Sequence, residues 1–101
     1  ADPELTSAAI ELAQILETVH PTEAKSYSLH GDLLYYSGNK KEALKKYKKT
    51  IELDDSVFSV WEQIMYVNLE LKDIESLRNF SEKAIDIFPN KAKAYYFVLD
   101  R

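Results

Sequence analysis

Cysteine is absent from the 101 residues, and glycine and proline are scarce at two and three. The first absence excludes a disulfide framework, a thiolate metal site and a cysteine nucleophile. The scarcity of glycine and proline argues against a low-complexity or loop-rich chain. No apolar run approaches the roughly eighteen residues that a membrane-spanning helix needs, so no membrane insertion is expected. A net charge of −4 gives no basic surplus for nucleic acid. Catalytic signatures are missing as well: there is no phosphate-binding glycine loop, zinc spacing, nucleophile elbow or paired-histidine motif. His20 and His30 stand alone, and Asp54-Asp55 reads as helix capping rather than a cation site. The expectation is a protein without enzyme activity, metal or cofactor. What the chain does have is 46% hydrophobic and 30% charged residues, enough for one small, mostly helical domain.

An internal period organises it. Tyr27, Trp61 and Tyr95 fall thirty-four residues apart, and Ala9, Ala43 and Leu77 keep the same interval. Further columns follow at that spacing: Ala13/Tyr47/Ser81, Leu16/Thr50/Ala84 and Pro21/Asp55/Pro89.

Apolar residues at three- and four-residue steps then predict six helices. The first spans about 4–19, with a stripe of Leu5, Ala8, Ala9, Leu12, Ala13, Leu16 and Val19 that needs a partner. The second opens at Thr22-Glu23-Ala24 and runs to Tyr36, ended by Ser37-Gly38-Asn39 in left-handed conformations. The third covers 40–53. Asp55 or Ser56 is the expected N-cap of the fourth, 57–71, whose apolar residues on nearly every side imply several neighbours. The fifth spans 74–88 and the sixth starts near Lys91. Gly31 and Ala43 are small where two helices should cross closely, while the aromatic column fills the space between successive helices.

These columns resemble the tetratricopeptide repeat, W-x2-L-G-x2-Y followed by A-x3-F and P. The closest unit has Tyr27, His30, Gly31, Leu34, Ala43 and Tyr47. The next keeps Trp61, Ile64, Ala84 and Pro89 but has Met65 for the glycine, Asn68 for the tyrosine, Leu77 for the alanine and Ser81 for the aromatic. The resemblance implies an all-α fold, a right-handed superhelical solenoid of antiparallel helix pairs. In that register residues 1–101 form one domain: 4–19 is the second helix of a truncated repeat, 22–53 a repeat, 56–88 a degenerate repeat and 91–101 the first helix of another truncated repeat. The apolar last segment, with Tyr95, Val98 and Leu99, should be covered by further residues of a parent protein or by self-association with another copy.

The resemblance also implies a non-catalytic scaffold for protein–protein interaction, binding a peptide or helix in the concave groove lined by the first helix of each pair. Carried over position by position, the groove falls at Lys25, Ser28, Asp32, Tyr35 and Tyr36, then at Ser59, Glu62, Tyr66, Leu69 and Glu70, with Lys93, Tyr96 and Asp100 extending it. The peptide-groove residues singled out are Asp32, Tyr36, Glu62, Tyr66, Glu70 and Tyr96. Family members that bind chaperones clamp a terminal carboxylate with lysine and asparagine at the fifth and ninth positions, where this chain has Ser28 and Asp32. The expected ligand therefore carries aromatic or aliphatic anchors and some positive charge. One rival reading is a structural spacer or self-assembly module packing on its own protein. Another is a basic-face binder of anionic surfaces through Lys40, Lys41, Lys45, Lys46, Lys48 and Lys49, a run with which no aromatic interleaves and whose expected internal pairs are Glu42–Lys46 and Lys48–Glu52. His30, in a column that prefers leucine, is expected to be a packing residue with one hydrogen bond.

Overall fold

The computed structural model describes residues 2–91. The sixth helix, the apolar segment around Tyr95 and the groove residue Tyr96 lie outside the described residues. Within them are α1 (Pro3–Val19), α2 (Ala24–Tyr36), α3 (Lys40–Leu53), α4 (Phe58–Glu70) and α5 (Ile74–Ile87). The architecture is all-α. The chain divides at Asp54–Asp55 into two compact units, the first built from α1, α2 and α3, the second from α4 and α5. In the first, α2 packs on both α1 and α3; in the second, α4 packs on α5.

Helix starts depart from expectation. α2 begins at Ala24, with Pro21 and Thr22 in the preceding turn. Val57, rather than Asp55 or Ser56, is the N-cap of α4 and makes no side-chain capping bond. Side-chain caps occur instead at Asp2, which accepts from the amides of Glu4 and Leu5, and at Asp73, which accepts from Ser76 N. Each satisfies amides that the first helical turn leaves without partners.

The two turns inside the helix pairs repeat bond for bond. Gly38 N donates to Tyr35 O at 3.0 Å and Asn39 N to Leu34 O at 2.8 Å; thirty-four residues on, Lys72 N donates to Leu69 O at 3.0 Å and Asp73 N to Asn68 O at 2.9 Å. This crossed pair is the Schellman ending, which requires a left-handed residue just past the helix. Gly38 supplies it at φ 93°, and Lys72 adopts it at φ 60°. Ser37 and Asn39, expected to share that conformation, have φ −86° and −91°.

The aromatic column is an anchor as well as a filler. Tyr27 donates its hydroxyl to Pro21 O at 2.8 Å, and Trp61, one interval later, donates Nε1 to Asp55 O at 2.9 Å. Each ring therefore ties the start of its own helix pair to the turn that precedes it. Trp61 also meets Phe80 and Phe88, with ring centroids at 6.0 and 6.4 Å.

At the helix crossings the residues that break the repeat template compensate one another. A Cβ on Gly31 would sit 2.7 Å from Tyr47 Cε1, so glycine is what allows the tyrosine ring into the α2–α3 contact. At the matching positions of α4 and α5 the sizes are exchanged. Met65 takes the glycine position and Ser81 the tyrosine position, with Ser81 Oγ 3.3 Å from Met65 Sδ while it donates to Leu77 O at 2.7 Å. Both crossings are buried and filled, one by a small–large pair and the other by a large–small pair.

Candidate protein-binding face

Residues three or four apart on a helix share a face. On α2 that spacing puts Lys25, Ser28, Asp32 and Tyr36 on the side away from the buried row Ser26, His30, Gly31 and Leu34. Asp32 is exposed, and its Oδ1 accepts the Tyr47 hydroxyl at 2.6 Å, a short bond to a charged acceptor. The carboxylate is thus held from below by a core residue of α3. Tyr36 is 82% exposed, its ring edge-on to Tyr35 with centroids 5.4 Å apart. In the second unit, α4 buries Trp61, Ile64, Met65 and Asn68 on one side. Glu62, Tyr66 and Glu70 run along another, with Tyr66 37% and Leu69 44% exposed. Two groups of the singled-out residues thus stand on open helix faces, Asp32 and Tyr36 in one unit and Glu62, Tyr66 and Glu70 in the other. The support of Asp32 by Tyr47 was missed from sequence, although the spacing of an acidic residue directly after the small Gly31 marks where a long side chain can pass.

The lysine run is partly engaged inside the first unit. Lys46 pairs with Glu17 of α1 at 3.0 Å, not with Glu42, which takes Lys45 at 3.1 Å. The ammonium groups of Lys46 and Lys49 also lie 5.8 and 5.9 Å from the centre of the Tyr27 ring. An aromatic therefore does interleave with the run, supplied by α2. The other oxygen of Glu17 lies 2.6 Å from His30 Nδ1, and since a carboxylate only accepts, Nδ1 carries the hydrogen. His30 is buried with this bond, and Glu17 joins three helices through one carboxylate.

Among the described residues no group of three or more His, Cys, Asp or Glu is placed to hold a metal ion. No described helix is long and apolar enough to cross a membrane.

No protein-family model matches the chain, and no curated protein matches it. Solved structures do. A crystal structure of the MamA protein aligns with a TM-score of 0.79 at 21% identity, covering 93% of this chain and 51% of that one. A second MamA crystal structure gives 0.77 at 18%, covering 92% and 54%. The first tetratricopeptide domain of Spaghetti (RPAP3), bound to the HSP90 peptide SRMEEVD, gives 0.74 at 13%, covering 94% of this chain and 77% of that one. The chain thus spans about half the length of the MamA chains it matches. At these identities the likeness establishes the fold, which is tetratricopeptide-like.

Proposed function

We propose that the chain is a non-catalytic protein-interaction scaffold that binds a peptide or partner helix on open helix faces, that of α2 in the first unit and that of α4 in the second, each taken by itself. The observation that carries this reading is the presentation of Tyr36 and Asp32: a ring exposed over most of its surface, one turn from a carboxylate fixed at 2.6 Å by a buried hydroxyl. A rigid aromatic beside a placed charge is the composition of a binding hot spot. The fold supports it, because the RPAP3 domain of the same fold is solved with a peptide bound. That peptide, SRMEEVD, is rich in acidic residues. The faces here carry Asp32, Glu62 and Glu70, the same sign of charge, so the ligand we propose is of another kind: an aromatic or aliphatic anchor flanked by lysine or arginine.

A peptide-library screen on the chain, with an amide shift map for each hit, tests this. Shifts should cluster at Asp32, Tyr36, Glu62 and Tyr66. Tyr36→Ala and Tyr66→Ala should each weaken a hit by more than about 1 kcal/mol, about fivefold in Kd, and leave the fold intact. Unchanged affinity in both variants would remove these faces from the function.

A further inference from the structure

Charge in the first unit is sorted by helix. Residues 1–54 hold nine acidic residues and seven lysines, and six of those lysines fall in positions 40–49, at the start of α3. α1 has no basic residue at all. On α3 the buried row is Ala43, Leu44, Tyr47 and Thr50. Lys41, Lys45 and Lys49, four apart, form a row on the opposite side, and all three are exposed. Each step of that row is about 6 Å along the helix axis, and the whole row is about 12 Å long. Glu52 stands beyond its last member.

Little neutralises the row from within. Lys45 pairs with Glu42 at 3.1 Å, but the two side chains are 72% and 57% exposed, so water and salt screen the bond. Among the described residues Lys41 and Lys49 make no ion pair. Lys49 is nonetheless placed: its ammonium lies 5.9 Å from the centre of the Tyr27 ring, which is tied in turn by its hydroxyl bond to Pro21 O. Lys46 lies 5.8 Å from the centre of the same ring and holds the Glu17 carboxylate at 3.0 Å. One ring thus carries two ammonium groups, one with a carboxylate and one without. The occupied half shows what the other half accepts.

We propose that the outer face of α3 docks an acidic segment of a partner protein, a helix whose aspartates or glutamates recur every fourth residue and meet Lys41, Lys45 and Lys49 in turn. The step of such a helix matches that of the row. Charge favours a narrow partner over an extended one. A membrane surface or a nucleic acid reaches past the row to the acidic residues around it, Glu52 first, where like charges repel. A single helix touches little besides the lysines. This face is separate from those of α2 and α4 assigned above, and it takes a ligand of the opposite charge.

The test is a titration of the 101-residue chain, followed by amide shifts at low ionic strength, with a soluble helical peptide carrying glutamate at every fourth position. Shifts should centre on residues 41–49 and saturate, and added salt should weaken the binding. Lys41→Gln, Lys45→Gln and Lys49→Gln combined should weaken it about tenfold, each exposed pair contributing about twofold. Because all three side chains are exposed, the triple variant should keep the circular dichroism of the unmodified chain. Tyr36→Ala and Tyr66→Ala should leave this binding unchanged, which separates it from the ligand faces of α2 and α4. The same peptide with glutamine in place of glutamate should not bind. Three results overturn the proposal: no shifts with the glutamate peptide, an unaltered affinity in the triple variant, or tighter binding of phosphatidylserine vesicles or a single-stranded oligonucleotide than of the peptide. The last would assign the row to an extended anionic surface.

Discussion

Exchanging Gly31 for methionine and Tyr47 for serine in one molecule should leave the α2–α3 pair folded, although each change alone damages it. The mildest member of the series sets the scale. In Gly31→Ala the new Cβ would lie 2.7 Å from Tyr47 Cε1 and 2.9 Å from Cδ1, closer than such contacts are found, against a ring that is 1% exposed. The ring cannot swing aside cheaply, because its hydroxyl is held by Asp32 at 2.6 Å. Alanine is favoured over glycine inside a helix by about 1 kcal/mol, and overpacking costs about 1–3 kcal/mol. The net expectation is a loss of up to about 2 kcal/mol, with each kilocalorie lowering Tm by roughly 4–8 °C in a domain of this size. Gly31→Met sits at the upper end of the overpacking range, and Tyr47→Ser removes a buried ring at about 3–5 kcal/mol. Added together these would take most of the roughly 5–15 kcal/mol that holds a domain folded. The double variant instead reproduces the pairing that Met65 and Ser81 already make, and should show a favourable coupling of about 2 kcal/mol or more. Urea unfolding followed by circular dichroism measures all four. A stabilised Gly31→Ala, or strictly additive losses in the double variant, would refute the compensation argument.

Two further outcomes follow from buried polar groups. Asn68 is fully buried with neither side-chain atom hydrogen-bonded, at the position matching Leu34 in the preceding pair; Asn68→Leu should raise stability by about 1–3 kcal/mol in thermal unfolding, and a loss would show that the amide has a role in the native packing. Glu17→Ala strands the buried ring nitrogen of His30 and should cost about 1–3 kcal/mol, whereas Glu17→Leu combined with His30→Leu should recover most of it, since replacing both partners by apolar groups leaves nothing unsatisfied. Equal losses in the two cases would mean that the bond is not what stabilises the contact.

The helices were legible because their apolar residues keep a helical step, and the phase of the pairs was legible because Tyr27 and Trp61 mark it. The cap of α4 was not, since Asp55 and Ser56 have the right chemistry but the chain stays extended to Val57, and Asp55 gives its carbonyl to Trp61 instead. Treating Met65 and Ser81 as two separate defects hid that they form one replacement, something only visible when facing residues are seen together. Spacing along its own helix points Lys46 to Glu42, while a largely buried carboxylate on α1, 29 residues away in sequence, takes it at 3.0 Å. The open face of α2 was legible as a stripe; that Tyr47 props Asp32 from the core was not, because a local pattern cannot show which side chain crosses between helices.

Lys72 occupies the left-handed position that Gly38 fills one interval earlier, at a backbone geometry that costs a residue with a side chain about 1–2 kcal/mol. The turn keeps its shape anyway, since the bonds that close it run between main-chain atoms and ask nothing of the residue's identity. Different residues can therefore occupy this position of the repeat while its main-chain script is kept intact. A tetratricopeptide-like fold at 13–21% identity to the solved structures it aligns with needs no more agreement in side chains than that.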